Sequence, residues 1–428
     1  MPALQKVVIL VLAMMMKHAY PQAATLAKTW SVAPMMKHTN QYFRAFCRIL
    51  SPETAQLFTE MITCDEVIQA ATTDSEGEAK LTKLLEYSRY ESADSLVLQL
   101  GGRDPKHLAI ACSIAANHKR HPYRRFNLNV GCPSNTVATV NQYGCALMLE
   151  PELTAECCRH MSEVYSPSPG SPPAEVSVKC RIGVDGLDSY EDLHRFISMV
   201  STQGGVRYFQ IHARKAMLGV SPMTNRQLPP LRYDMVHQIA ADFPNLRIEL
   251  NGGLTSAAAC MEQLMASGGA AGAPGLSGIM VGRAVVNHPY SFSVMDSLVG
   301  GFNGCPSRLP QPTRGAILRE YTQFLQTLGN GKGPSQAKLP PSSVAQQLSP
   351  AFNLFLGEPG CERFQRKLGI MTKRGVTSPA FILTEAAKEI SAEVFESTSY
   401  RDPMDLRSGL PWLDKKKKTT APMKSNIL

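Results

Sequence analysis

Cys132 is the residue whose type and surroundings most directly indicate chemistry. It follows Gly131 and precedes Pro133 in the segment Asn-Leu-Asn-Val-Gly-Cys-Pro-Ser (127–134). Glycine lets a ring approach the backbone closely, and proline fixes the turn. A thiol placed there can donate a proton to carbon when a double bond is reduced, provided that it stays protonated until then. The alternative is an inert buried cysteine, a common fate in a chain with 11 cysteines.

Three further polar side chains, those of Gln99, Lys179 and His212, fall at the ends of apolar runs. A cation beside the N1/O2 edge of a flavin stabilises the anionic reduced ring by charge pairing. The amide of Gln99 offers both a donor and an acceptor to a ring edge. These residues favour a flavin site. The alternatives are a surface salt bridge for Lys179 and a satisfied core histidine for His212.

Two glycine-containing motifs indicate a phosphate site. They are Asn251-Gly252-Gly253 and Gly282-Arg283. Glycines let backbone N–H groups approach an anion, and an arginine adds a bidentate contact. Two tight turns are the alternative. The motifs close the last two of eight apolar runs, however, and the loops after these strands often bind phosphate in barrels.

The elements that must position these residues are eight short apolar runs that alternate with longer amphipathic stretches. Continuous apolar runs are expected for strands buried on both faces of a parallel sheet. The alternation predicts an α/β fold, a TIM (β/α)₈ barrel with its site at the C-terminal strand ends, although the pattern alone also allows an open doubly wound sheet. The predicted strands are residues 31–35, 57–62, 95–101, 126–133, 175–183, 208–214, 247–253 and 278–284.

After Pro312 the pattern becomes helical, which predicts a smaller C-terminal α-helical domain. The candidate helices are residues 314–328, 344–356, 361–368 and 380–395. We expect four regions, namely an N-terminal extension (1–30), a barrel (31–300), a helical domain (313–395) and a basic, disordered tail (396–428).

The bulk composition is that of a basic globular protein. The chain has 428 residues, of which 44% are hydrophobic and 18% charged, and its net charge is +9. An excess of positive charge favours polyanions such as RNA. An odd cysteine count without any Cys-x-x-Cys spacing argues against a disulfide framework and a zinc site. We therefore expect a reducing compartment and no metal.

The N-terminus is open to two interpretations. Residues 7–16 form an apolar run that is too short to span a membrane, so we expect no membrane association. No acidic residue precedes Glu53, whereas Lys6, Lys17 and Lys28 do, a composition that transit peptides share. We expect a cytoplasmic protein, with a mitochondrion or plastid as the alternative.

Taken together, the motifs resemble those of the tRNA-dihydrouridine synthases, most of all the bacterial A subfamily. The resemblance covers roughly residues 31–370. It rests on Val-Ala-Pro-Met-Met (32–36), Leu-Gln-Leu-Gly-Gly-Arg-Asp-Pro (98–105), the Cys132 segment (127–134), Val-Lys-Cys-Arg-Ile-Gly-Val-Asp (178–185), Asp-Ser-Tyr-Glu (188–191), His-Ala-Arg-Lys-Ala (212–216), Asn-Arg-Gln-Leu-Pro-Pro-Leu (225–231), Asn-Gly-Gly (251–253) and Val-Gly-Arg-Ala (281–284).

The resemblance implies FMN at the mouth of the barrel, NADPH as the hydride source and tRNA as the substrate. Reduced FMN would pass hydride to C6 of a uracil that has left its stack, and Cys132 would protonate C5. The resemblance points to D-loop uridines 20 and 20a. By motif matching, the FMN contacts fall on Pro34, Met35, Met36, Gln99, Lys179, His212, Asn251, Gly252, Gly253, Gly282 and Arg283.

The same resemblance implies which residues face the RNA. Asn129 matches a residue near the substrate uracil, and Arg214 and Arg226 match basic residues around the cofactor and the RNA. In the helical domain the motif would place RNA-binding arginines where this chain has Glu362 and Gln365. We expect the neighbouring Arg363 and Arg366 to substitute for them.

The chain departs from the family pattern at two other places. Lys37-His38-Thr39-Asn40 stands where an acidic or aromatic residue often continues the first motif, and Met223 stands where a lysine is expected. Two alternatives stay open. A flavin barrel acting on a small-molecule pyrimidine would use the same cofactor site, and the altered positions 37–40, Glu362 and Gln365 would suit a catalytically inactive tRNA-binding protein. The basic charge balance favours RNA, and the intact Cys132 favours catalysis. We expect a monomer.

Overall fold

The computed structural model describes residues 27–163, 174–266, 275–305, 307–330 and 340–399. Most of the predicted N-terminal extension and nearly all of the predicted tail lie outside these residues. Within these residues, nine parallel strands form one sheet whose first and last strands also pair, so that the sheet closes on itself. The strands are β1 (Thr29–Val32), β2 (Ala55–Phe58), β3 (Ile62–Thr63), β4 (Leu96–Gly101), β5 (Arg125–Val130), β6 (Glu175–Arg181), β7 (Tyr208–His212), β8 (Arg247–Asn251) and β9 (Gly278–Val281).

The closed parallel sheet with helices around it confirms the predicted TIM barrel and excludes the open sheet. The second predicted strand, residues 57–62, is wrong in detail because it is divided into β2 and β3. Both pieces pair with β4, so together they fill one position of the eight-stranded barrel. The break follows Phe58, where the hydroxyl of Thr59 accepts from the backbone N–H of Gln99 at 3.0 Å.

Several predicted strands extend two or three residues too far at their C-terminal ends. The fourth was predicted to reach residue 133, yet β5 ends at Val130. The reason is local: the side-chain oxygen of Asn129 accepts from the N–H groups of Gly131 and Cys132, at 3.1 and 3.0 Å. These groups are satisfied by a side chain instead of a neighbouring strand, so the chain turns out of the sheet here.

Amphipathic helices follow the strands and cover the barrel. Asp104 caps the helix that begins at Pro105, as the Asp-Pro pair indicates. Ser189 and Asp192 form a capping box at the start of another helix. The barrel helices are α1 (Gln41–Leu50), α2 (Cys64–Thr72), α3 (Ser75–Leu85), α4 (Pro105–Ala116), α5 (Pro151–Ser162), α6 (Tyr190–Gln203), α7 (Tyr233–Asp242), α8 (Ala257–Ala266), α9 (Arg283–Asn287) and α10 (Met295–Phe302).

The chain continues into the predicted C-terminal helices. They are α11 (Arg314–Asn330), α12 (Pro341–Leu348), α13 (Cys361–Lys373), α14 (Pro379–Ala387) and α15 (Ala392–Glu396). Two predicted helices are too long. The one at 344–356 ends at Leu348, just before Pro350, which cannot donate a helical hydrogen bond. The one at 380–395 is two helices, because the Ser391 hydroxyl caps a new start.

These helices pack on the barrel through an aromatic and ionic contact zone. Phe46 of α1 meets Tyr321 of α11 edge to face, with ring centroids 5.3 Å apart. Arg314 lies over the ring of Tyr290, at 3.8 Å from its centroid, and forms a buried ion pair with Glu358. Among the helices that the structure describes, none has the length and apolar character needed to cross a bilayer.

Candidate active site

The strand register brings most of the predicted site residues to one end of the barrel. Along the sheet, Arg181 of β6 pairs with His212 of β7, which pairs with Asn251 of β8. Asn129 of β5 pairs with Lys179 of β6. All are at or near the C-terminal ends of their strands, where active sites of this fold lie.

Cys132 lies just beyond β5 and is half-buried. Its Sγ is 3.6 Å from the hydroxyl oxygen of Ser134. Its backbone N–H donates to Asn129, and its carbonyl accepts from the N–H of Cys145 at 3.0 Å. A thiol that is partly exposed, on a backbone held from both sides, has the access and the fixed position that a proton donor needs.

Gly144 is part of the same support and needs to be glycine. Its φ is +64°, in the left-handed region. A Cβ atom there would lie 2.6 Å from Val137 Cγ1 and 2.7 Å from the carbonyl oxygen of Cys132. The chain therefore passes directly against the Cys132 backbone, at a distance that no side chain allows.

Gln99 belongs to a network of amide groups inside the barrel. It is fully buried; its Nε2 donates to Asn127 Oδ1 at 2.7 Å, and its Oε1 accepts from Asn129 Nδ2 at 3.0 Å. Asn127 in turn donates to Ser177 and Gln210. The network fixes the orientation of Asn129, and Gln99 keeps one N–H and one lone pair for a ligand.

Lys179 is not in a surface salt bridge. Its Nζ donates to Asn251 Oδ1 at 3.1 Å, and Asn251 Nδ2 donates to the carbonyl of Met280. Burial lowers the pKa of Lys179 to about 8, with a further decrease from the nearby cation of Arg181. A buried ammonium held by an amide is available to an anionic or electron-rich ligand.

His212 is surrounded by cations. Burial holds the pKa of its imidazole well below the ordinary value, and neighbouring positive charges lower it further. The ring is therefore neutral at physiological pH, and the positive charge beside a ligand comes from Lys179 and the arginines. The neighbouring cations are Arg181, Lys179, Arg214 and Arg283.

The Asn-Gly-Gly and Gly-Arg motifs form a narrow glycine-lined edge. Gly252 and Gly253 have φ values of +106° and +70°. A Cβ on Gly252 would lie 2.6 Å from Cδ2 and 2.9 Å from Nε2 of His212, and the Tyr233 hydroxyl donates to the Gly252 carbonyl at 2.7 Å. Gly282 faces Met35, since a Cβ there would lie 3.5 Å from the Met35 sulfur. The loops after β1, β7, β8 and β9 thus meet at one place.

The predicted FMN contacts in the loop after β1 differ in how exposed they are. Pro34 and Met35 are half-buried, and Met36 is 57% exposed. The departure at 37–40 has a structural role: the Thr39 hydroxyl accepts from the Met35 N–H at 3.0 Å, and Asn40 caps α1. These contacts, together with the Glu60 carboxylate, which accepts from the Lys37 N–H, hold the loop.

Two arginines lie on the side of the mouth formed by the loop after β7. Arg214 donates to the carbonyl of Pro229. Arg226 is half-buried, and its Nε atom is buried without a hydrogen-bond partner among the described residues. An unpartnered buried donor of this kind is costly unless a ligand or water satisfies it. Arg283, at the start of α9, is exposed.

The remaining predicted RNA-facing residues belong to α13, one of the C-terminal helices. Arg363 and Arg366 are both exposed, and Arg363 lies 3.5 Å from the Glu389 carboxylate. The two replaced positions differ: Glu362 is exposed, whereas Gln365 donates to the Phe352 carbonyl at 3.1 Å and has a packing role.

The sequence analysis did not select Arg181, although it belongs to the site. Only 4% of Arg181 is exposed, and its guanidinium donates to the carbonyls of Gly131, Lys215 and Asn225. The signal was its spacing from Lys179, because residues two apart on a strand point to the same face. Asn225, fully buried in the next loop, carried no comparable signal.

One group of side chains with metal-ligand chemistry lies elsewhere among the described residues. Cys64, Asp65 and His107 bring their ligand atoms within 4.8 Å of one another. Nδ1 of His107 lies 2.8 Å from Oδ1 of Asp65 in an exposed hydrogen bond. Both acid and imidazole lie in the first turns of α2 and α4, where the helix dipole disfavours a cation. We interpret the group as a surface hydrogen bond between Asp65 and His107, and the absence of a metal stays a prediction.

The sequence matches the family Dihydrouridine synthase (Dus) over residues 31–354. It is 39% identical over 315 residues to the tRNA-dihydrouridine(20/20a) synthase of Synechocystis sp., covering 71% of this chain and 84% of that protein. It is 36% identical over 340 residues to the protein of the same name from Vibrio vulnificus, covering 79% and 90%. A third, from Pseudomonas syringae, is 34% identical over 365 residues and covers 85% and 94%.

Proposed function

The chain belongs to the dihydrouridine synthase family, and we propose that it reduces uridine to 5,6-dihydrouridine in tRNA with FMN as its cofactor. The names of its relatives direct the proposal to uridines 20 and 20a. We further propose that NADPH is the electron donor and that the enzyme acts as a monomer.

The residues at the barrel mouth fit FMN. At Gly282 an added Cβ would meet no atom closer than 3.5 Å, which leaves room for a phosphate beside the cation of Arg283. Gly252 and Gly253 would add backbone N–H groups to the same site. Lys179, Asn251 and His212 would hold the polar edge of the ring. The contacts that complete this proposed site are Pro34, Met35, Met36 and Gln99.

When bound, FMN supplies the hydride that is added to C6 of the uracil. Cys132 would donate the proton of its Sγ to C5, and solvent would then reprotonate the thiolate. Asn129 holds the Cys132 N–H and would face the same base. Because Cys132 is half-buried, a flipped base could reach its thiol.

Basic side chains would hold the rest of the tRNA. Arg214 and Arg226 flank the mouth, and the free Nε of Arg226 suits a phosphate or a base carbonyl. Arg363 and Arg366 on α13 would provide a second contact along the RNA.

One observation carries the proposal. In a chain of this family, Cys132, Lys179, His212 and the glycine-lined edge lie together at the C-terminal end of the barrel. The test incubates the FMN-loaded protein with NADPH and an unmodified tRNA transcript and maps dihydrouridine by nucleotide. We expect reduction at positions 20 and 20a. Reduction of free uridine or orotate, but not of tRNA, would instead establish a small-molecule enzyme. Binding of tRNA without any reduction would establish an inactive binding protein.

A further inference from the structure

Cys132 is held through its two peptide planes. The peptide between Gly131 and Cys132 has its N–H bonded to Asn129 Oδ1 at 3.0 Å and its carbonyl bonded to Arg181 Nε at 2.9 Å. The next carbonyl, that of Cys132, accepts from Cys145 N–H at 3.0 Å. The backbone dihedral angles of Cys132 are therefore set by three partners, and Arg181 is the only charged one.

The other side of the Arg181 guanidinium is bonded to the loop after β7. Its Nη1 donates to the carbonyls of Lys215 at 2.9 Å and Asn225 at 3.3 Å. Asn225 closes that loop on itself, accepting from the Met217 N–H at 2.7 Å and donating to the Met217 carbonyl at 2.8 Å. Arg226, with its unpartnered Nε, follows Asn225 directly.

A charge in this place is costly. Arg181 is almost completely buried, its three partners are neutral carbonyls, and within the described ranges it forms no ion pair with a carboxylate. Burial lowers its pKa to about 10. A neutral side chain could hold a loop without the free energy that burying a charge costs. The presence of an arginine is therefore explained by the fixed, planar arrangement of its guanidinium donors, which bridges two backbone segments.

We propose that Arg181 is a positioning residue for the reaction: its guanidinium fixes the peptide before Cys132 and ties it to the loop that carries Arg226. The thiol and the RNA-facing arginine are thereby kept in one arrangement. The inference rests on the proposed function, since it concerns the proton that Cys132 would deliver.

Arg181→Lys tests the proposal, because lysine keeps the charge but has no planar fork to bridge the two loops. Reduction of bound FMN by NADPH should stay within about twofold of the parental rate. The rate of uridine reduction by the reduced enzyme should fall about 10–100-fold, the cost expected when a reacting group is displaced by about 1 Å. The solvent deuterium isotope effect on that step should rise, because proton transfer becomes more limiting.

Arg247→Lys is the matched control. Arg247 begins β8 at the opposite end of the barrel and lies over the ring of Tyr208. This variant should lose similar stability but keep the parental rate and isotope effect. A second readout does not depend on turnover: iodoacetamide should alkylate Cys132 several-fold faster in Arg181→Lys, relative to the exposed Cys305 as internal reference.

The outcomes are separable. The positioning role would be overturned if Arg181→Lys converts uridine within twofold of the parental rate. It would also be overturned if the rate falls but the isotope effect and the alkylation ratio stay unchanged. If Arg181→Lys does not fold, Arg181→Gln is measured in the same way, with the same expected loss and the same result against it. Failure of the proposed function is different, because the parental protein itself would then leave tRNA unreduced.

Discussion

The Nζ atom of Lys179 lies 3.1 Å from Oδ1 of Asn251, so an ammonium from β6 and an amide from β8 share one side of the barrel mouth. Asn251 is held in turn by the carbonyl of Met280 on β9. Groups on β6, β8 and β9 therefore fix one cation. In the described part of the chain, no carboxylate forms an ion pair with the Lys179 ammonium. Its charge is therefore available to an electron-rich ligand.

The first prediction concerns the pH dependence of FMN binding. Because burial lowers the pKa of Lys179 to about 8, its protonated fraction falls as the pH rises above that value. The protonated amine donates to the electron-rich edge of the flavin ring more strongly than the neutral amine does, so the Kd for FMN should rise between pH 7 and 9, by at most about tenfold per pH unit. Fluorescence titration of the FMN-free protein measures it.

Lys179→Met is the control for this prediction. It should bind FMN more weakly at pH 7 and show a Kd that is nearly constant up to pH 9. His212 cannot produce the dependence, because its pKa lies well below its ordinary value and it is neutral throughout. A parental Kd that does not change over this range would contradict the assignment of Lys179.

The second prediction separates chemistry from cofactor binding. Cys132→Ala should retain FMN, because the thiol is not among the groups that would hold it. Its rate of uridine reduction should fall about 10²–10⁴-fold, the usual contribution of a positioned general acid. Mass spectrometry of digested tRNA measures the product. Cys305→Ala, at an exposed position after α10, should retain parental activity. Parental activity in Cys132→Ala would show that another group donates the proton.

The third prediction concerns the glycine-lined edge. Gly252→Ala should weaken FMN binding at least about tenfold, because its Cβ would meet the His212 ring at 2.6 Å and force it to move. Gly304→Ala is the matched control, since φ is +67° there and nothing lies within 4 Å of the added Cβ. Both variants carry the backbone strain of a left-handed alanine. Equal FMN affinity in the two would mean that the edge does not contact the cofactor.

The sequence predicted the barrel because a parallel sheet buried on both faces leaves a strong pattern, and it predicted the strand ends because polar residues interrupt that pattern. It did not predict where β5 stops. That depends on Asn129 turning its side chain back onto Gly131 and Cys132, a contact that no periodicity records. The position of Cys132 at the mouth was thus predictable, and its support was not.

Arg181 illustrates the same limit. As one of several charged residues at a strand end, it had the right spacing to join the site, but its partners are backbone carbonyls. Backbone partners carry no residue identity, so sequence cannot reveal them. Likewise, the neutral state of His212 depends on burial and on cations from other strands, which only the closed barrel brings together.

The fourth prediction tests the helical contact with RNA. Arg366 is exposed on α13, one turn from Arg363, whose guanidinium lies 3.5 Å from the Glu389 carboxylate. If Arg366 contacts a phosphate, Arg366→Ala should weaken tRNA binding and lower the slope of log K against log salt by about one. FMN content and the reduction of bound tRNA at saturation should not change, because Arg366 is not among the residues proposed to hold FMN or to position Cys132. Arg124→Ala is the control: Arg124 is exposed beside the N-terminal end of β5, on the face opposite the mouth, and should leave the slope unchanged. Filter binding across a range of salt concentrations measures the tRNA affinity of both variants. Equal slopes for the two would show that Arg366 does not contact the RNA.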